Sequence, residues 1–276
     1  SSDSSTTDNN TTDKESSSAL TLSDAHGLAV DIEDPQKLYI ANHHGLYALE
    51  DDKKLYRLGD LEDDLMSFTV DPIDPDTFYS SGHPKTGGNV GFQKTTDGGV
   101  TWQAVSEGLD GPVDFHTLTV DQTNPQVVYG YYKGQMQRST DGGSSWSYVD
   151  AAPANIIQLS SGVGPTSIYA ATTNGLFCSI DQGDSWRAVT SLGGTVASVA
   201  NNPSNSDELL AYSLDGGFQK STDGGESWSD VTSPAGSDQV LFIAYAKSDS
   251  SNIYILTRSL DIFASSDSGT TWEAYR

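Results

Sequence analysis

The chain holds a single cysteine, Cys178, in 276 residues, so no internal disulfide braces the fold and no Cys-rich zinc motif is present. Cys178 reads as a packing residue. Basic side chains are also scarce. Fourteen Lys and Arg stand against 38 Asp and Glu, for a net charge of −24. Such a surface repels phosphate backbones and anionic lipid headgroups, which argues against nucleic acid and membrane surfaces as partners. The acidity suits a high-salt habitat, or solubility outside the cell. No apolar run approaches the roughly 20 residues needed to span a bilayer. Residues 1–18, SSDSSTTDNNTTDKESSS, contain no apolar residue. A segment of that composition cannot bury a core, so a disordered, solvated tether is expected there, with the folded unit at 19–276. Such a start looks like that of a mature exported protein, so the expected location is extracellular or at the cell surface, behind an upstream lipid-anchored residue. A monomer is expected. Missing too are a Ser-His-Asp nucleophile signature and a phosphate-cradling glycine loop.

What is present is a repeat. All five tryptophans close one motif, Ser/Thr-x-Asp-x-Gly-x-Ser/Thr-Trp. Its Asp and Trp are Asp97 and Trp102, Asp141 and Trp146, Asp181 and Trp186, Asp223 and Trp228, and Asp267 and Trp272. Asp bonds its own backbone locally and Gly permits positive φ, so the motif makes a tight hairpin turn. Each period holds four short β-rich runs between Gly/Asp/Asn/Pro turns and no helical pattern. A period of about 40 to 45 residues with four strands is the blade of a β-propeller. A sixth unit precedes the five: Gly45-Leu46-Tyr47-Ala48-Leu49 aligns with Gly175-Leu176-Phe177-Cys178-Ser179. There Asp51, Lys53 and Tyr56 fall on the motif's Asp, Gly and Trp, so the strands remain and the turn motif is lost. The expected fold is all-β, a six-bladed propeller of four-stranded antiparallel blades. Whether Ala19 to Leu22 helps close the ring is open.

These turns resemble the Asp-box, or bacterial neuraminidase repeat, of sialidases, sortilin-like receptors, xyloglucanases and photosystem assembly factors. The resemblance implies fold, because in those families the box is a structural staple.

Chemistry must then come from residues that break the repeat. All five histidines lie between positions 26 and 116. Counted back from Val30-Asp31, Val70-Asp71 and Val120-Asp121, which end successive inner strands, His26, Met66 and His116 are equivalent. The matching places in blades four to six hold Ile156, Ala197 and Leu241. Asp24, Asp64 and Asp114 stand two residues before His26, Met66 and His116. A second set, His43 and His83, ends the following strand in blades one and two. In a four-stranded meander the start of the first strand and the end of the second share one face. Four histidines and one methionine therefore meet at one mouth of the central channel, opposite the turns. Imidazoles are common transition-metal ligands, and a thioether tilts the set toward copper, with zinc as the other candidate. The metal set expected is His26, His43, Met66, His83 and His116, with Asp24, Asp64 and Asp114 orienting the imidazoles. His44 faces away. The same strand parity also fits plain packing between blades.

The segments His26-Gly27-Leu28, His43-His44-Gly45-Leu46, Asp64-Leu65-Met66-Ser67-Phe68-Thr69, Ser81-Gly82-His83-Pro84 and Asp114-Phe115-His116 resemble a family of exported bacterial propellers labelled glycosyl hydrolase or sialidase-like. The family's first motif is usually His-x-His-Gly, and here Asp24 takes the first His position. Sialidases need an arginine cluster for the sugar carboxylate. Of five arginines, Arg57, Arg138, Arg187 and Arg276 lie on or beside outer strands, and only Arg258 shares the histidine face. Asp24, Asp64 and Asp114 are carboxylates that can supply an acid and a base for another glycosidase, with Asp64 and Asp114 the catalytic candidates. The leading expectation is an exported copper-binding propeller acting in metal binding, sensing or delivery, leaning away from an enzyme. The alternatives are a glycoside hydrolase and a non-catalytic platform for a protein partner.

Overall fold

The computed structural model describes residues 20–164 and 167–276; the expected tether at 1–18 lies outside the described residues. Among the described residues, 24 strands form six separate four-stranded sheets and no helix occurs. In every sheet the four strands are consecutive in the chain and pair antiparallel, which is the six-bladed propeller expected. The inner strands are Gly27–Val30, Asp64–Val70, Thr117–Val120, Ile156–Ser161, Val196–Asn202 and Val240–Tyr245.

No sheet ladder crosses from one blade to the next, so side chains in the seams hold the ring. The apolar core is accordingly divided into six clusters, one per seam. Each motif Trp lodges in the seam with the preceding blade. Trp102 sits between blades one and two, Trp146 between two and three, and Trp186 between three and four. Trp228 and Trp272 fill the next two seams. Trp146 also donates its indole N–H to Ser106 Oγ of the blade before, at 2.9 Å.

The turn that carries the Trp is built alike each time. In blade two, Thr95 Oγ1 donates to Asp97 Oδ1 (2.7 Å), and the Gly99 N–H donates back to Thr95 Oγ1 (3.1 Å). The Thr101 N–H and hydroxyl donate to the two Asp97 oxygens at 2.9 and 2.6 Å. The residue after each Asp needs positive φ. Gly98, Gly142 and Gly224 supply it at no steric cost, while Gln182 and Ser268 adopt it at φ 61° and 59°.

The sixth seam has no tryptophan, because blade one lacks the motif. Tyr254 and Tyr275 fill it, with Leu20 and Leu22 from ahead of the first strand packed against the same cluster. Tyr275 Oη donates to the Gln36 carbonyl at 2.6 Å, and Arg276 Nη2 donates to the Leu20 carbonyl at 2.9 Å. The segment before the first strand therefore joins the closure through packing and one backbone carbonyl, not as a shared strand.

Two outcomes test this account. Trp186→Ala opens a cavity in a seam and should lower unfolding free energy in urea by about 3 kcal/mol, near the lower bound for aromatic-to-alanine changes because the ring is half-buried. In the turns, the hydroxyls of Ser227 and Thr271 hold Asp223 and Asp267 down to about 2. A depressed carboxylate adds stability above its unfolded value of 3.8 and loses that stability as pH falls toward 2. Ser227→Ala should move the Asp223 carboxyl NMR titration up toward 3.8 and leave Asp267 unchanged.

Candidate functional site at the channel mouth

The inner strands open onto the channel through a repeated irregularity. In blade two the register slips between Leu65 and Ser67, leaving Met66 as the extra residue. The same slip frees Ile157, Ala197 and Leu241 in blades four to six. Ile157 is thus the equivalent residue in blade four, one place beyond the Ile156 that counting indicates. In blade one the His26 N–H donates to the Ala41 carbonyl while Gly27 also pairs with Ala41. In blade three the His116 N–H bonds the Tyr131 carbonyl beside the Thr117 pairing. A bulge bends its strand and re-aims one side chain. Here it turns His26, Met66, His116, Ile157, Ala197 and Leu241 onto the wall of one axial cavity of about 500 Å³. Half of that ring carries His or Met, and the other half is aliphatic.

The remaining histidines join from the second strands, Leu38–Asn42 and Phe78–His83, and the donors gather in two groups. In the first group, His26 Nε2 and His43 Nε2 are 3.2 Å apart. The Asp24 carboxylate takes the His43 Nδ1–H at 2.7 Å and the His43 backbone N–H at 2.9 Å. Asp64 Oδ2 lies 3.4 Å from His43 Nε2, and Asp64 Oδ1 lies 3.8 Å from His26 Nε2. The second group centres on Asp114, whose Oδ2 meets His83 Nε2 at 2.9 Å and His116 Nε2 at 2.8 Å. His83 Nδ1 faces the Gly88 carbonyl at 2.9 Å. The Asp114 side chain is only 3% exposed, whereas His83 and His116 are 41% and 62% exposed. Met66 lies on the inner strand of blade two, the blade that supplies Asp64 to the first group and His83 to the second. His44 is exposed and lies outside both.

Environment sets these groups apart. Burial pushes the His26 imidazole below its ordinary value, and neighbouring His43 adds to that, against the raising pull of Asp64 and Asp24. The hydrogen bond to Asp114 lifts His116 above its ordinary value, and burial opposes it. Burial works against the Asp24 carboxylate, but the His43 N–H and Ser23 hydroxyl outweigh it and hold Asp24 below its ordinary value.

Sequence reasoning did not find the Gly88 carbonyl, although the Gly87-Gly88 pair marks a turn beside His83. It also passed over Ser81, whose hydroxyl takes the Phe115 N–H at 2.9 Å and fixes the Asp114 segment.

No family model matches the chain. A curated xyloglucanase of Hypocrea jecorina (strain QM6a) is 24% identical over 196 residues, which is 68% of this chain and 23% of that protein. A second xyloglucanase, from a Paenibacillus species, is 24% identical over 190 residues. The chain spans 23% and 18% of the lengths of these two relatives. Among solved structures, the GH74 xyloglucanase of Xanthomonas campestris superposes with a TM-score of 0.61 at 16% identity, over 91% of this chain and 47% of that one. YCF48 bound to D1 peptide superposes at 0.57 and 15% identity, over 92% of this chain and 84% of that one.

These relatives correct two expectations. A copper propeller for binding, sensing or delivery is overturned, because the proteins similar in sequence are named xyloglucanases. The leaning away from an enzyme is overturned by the same finding. The histidines suggested a carrier because the carboxylates beside them were given mainly the role of orienting imidazoles.

The Asp114 contact makes a direct prediction. In Asp114→Asn the His116 NMR titration should move down, since its raising partner is lost. A raised imidazole adds stability below its unfolded value of 6.5 and loses it as pH rises through its folded value. The wild type's advantage over this variant should therefore shrink as pH climbs past that range.

Proposed function

We propose that the chain is a glycan-acting propeller, a unit of xyloglucanase type that holds and cleaves a neutral polysaccharide at the His- and Asp-rich mouth. The observation that carries this reading is the sequence likeness to two named xyloglucanases, joined to carboxylates gathered at one opening. Glycoside hydrolysis needs an acid and a base, usually two carboxyl groups flanking the bond. Asp114 is too deeply buried to touch a polymer and acts by orienting His83 and His116. Asp24 and Asp64 reach the opening, and each has an oxygen within 4 Å of His26 Nε2 (3.6 and 3.8 Å). A neutral chain fits the charge, because −24 repels anionic polysaccharides and the face lacks an arginine cluster. The repeated turns are read as Asp boxes that brace the ring. The protein is read as exported, since a polysaccharide of that size is met outside the cell.

The test is incubation of the full chain with xyloglucan, other β-glucans and charged polysaccharides. Reducing-end release and migration in polysaccharide-containing gels are the readouts. Release from a neutral glucan is expected, reduced at least about 100-fold in Asp64→Asn and Asp24→Asn, in line with loss of an acid or base. Absence of both cleavage and retardation on every glucan would overturn the proposal. A second reading, a peptide-binding face, is supported by the superposition on YCF48 bound to D1 peptide. Peptide capture without any glycan response would favour it.

A further inference from the structure

The first donor group has a geometry that hydrogen bonding alone leaves incomplete. Both oxygens of Asp24 are taken, one by the His43 N–H and the other by His43 Nδ1. With its Nδ1 proton given to Asp24, His43 keeps an Nε2 lone pair that His26 Nε2 meets within hydrogen-bond distance, at 3.2 Å. Asp64 brings a carboxylate to the same place, and its Oδ1 is buried without a hydrogen-bond partner. An orphaned buried carboxylate oxygen is costly unless a cation or donor meets it.

A metal ion meets all of these groups at once. Two nitrogens each about 2.0–2.1 Å from a tetrahedral zinc stand roughly 3.3–3.4 Å apart, close to the separation seen. Asp64 borders the pair, with Oδ2 3.4 Å from His43 Nε2 and Oδ1 3.8 Å from His26 Nε2, so a small rotation of its carboxylate brings one oxygen to an ion held between the nitrogens. The Nδ1–H to carboxylate contact of His43 is the outer partner that metal-bound imidazoles usually keep.

We infer that His26 Nε2, His43 Nε2 and one oxygen of Asp64 form a binding site for a divalent transition ion of zinc type, with Asp24 orienting His43. Three protein ligands leave one position open, and it faces the channel mouth, where water or a sugar hydroxyl completes it. This site differs from a copper carrier. It takes no thioether from Met66 and no ligand from the Asp114 group, whose carboxylate oxygen already serves two imidazoles.

The site shares Asp24 and Asp64 with the proposed glycan-cleaving mouth, but its test contains no polysaccharide, so the two readings fail separately. Chelator-treated, untagged protein is titrated with zinc by calorimetry, and the cobalt-loaded form is examined for tetrahedral absorption bands. One ion per chain is expected. Affinity should fall more than about 100-fold in His43→Ala and Asp64→Asn, and about 10- to 100-fold in Asp24→Asn, the range for an outer partner. His116→Ala and Met66→Leu should bind as the wild type does. Circular dichroism verifies that each variant is folded. No stoichiometric zinc binding, binding that survives both His43→Ala and Asp64→Asn, or binding lost in Met66→Leu would overturn the assignment.

Discussion

Packing across six seams is the constraint on which everything else in this molecule rests. Within a blade, backbone hydrogen bonds tie each strand to its neighbour. Between blades, the ring stands on wedged side chains, and the tryptophans are the largest of them. This explains why the repeat keeps a turn and a Trp together. The Asp-centred turn fixes the backbone from which the indole reaches into the neighbouring seam. Where blade one lacks that pair, tyrosines, Arg276 and the residues ahead of the first strand take over.

The seams also decide what faces the channel. At the start of each inner strand one residue stands outside the regular ladder, by a register slip in blades two, four, five and six and by a bond to the carbonyl of the next residue's partner in blades one and three. That residue is turned onto the cavity wall, so its identity is free of the packing rules that govern the rest of the strand. Three blades use this freedom for aliphatic side chains, and three place His26, Met66 and His116 there. The second strands then return His43 and His83 to the same end, next to carboxylates from the preceding loops. Histidine and carboxylate side chains thus collect where the repeat is least constrained, on one side of the ring.

Much of this was legible in the chain itself. The spacing of the five motifs, together with the strand match at Gly45 to Leu49, indicated six blades, and counting from Val-Asp paired His26 with Met66 and His116. Topology placed His43 and His83 on the same face. What counting could not supply was anything set by distant contacts. The slip at residue 157 depends on cross-strand register, so the count stopped one residue short. The seam role of each Trp is a contact between blades. The division of the histidines into two groups follows from Asp114 reaching both His83 and His116, a matter of side-chain placement. The acidic residues, expected to orient the imidazoles, contact them directly, but which carboxylate meets which ring was not readable from spacing. Relatives were needed to turn weight from metal carriage toward glycans.

The central claim is that the working surface is the channel mouth and that the opposite face, with its repeated turns, is scaffold. Footprinting of the folded chain with hydroxyl radicals, with and without a xyloglucan oligosaccharide, addresses it most directly. The account predicts protection at His26, His43, His83 and His116, with the indoles of Trp146 and Trp186 unaffected. Protection confined to the turns around Asp141 and Asp181, with the histidines as reactive as before, would contradict it.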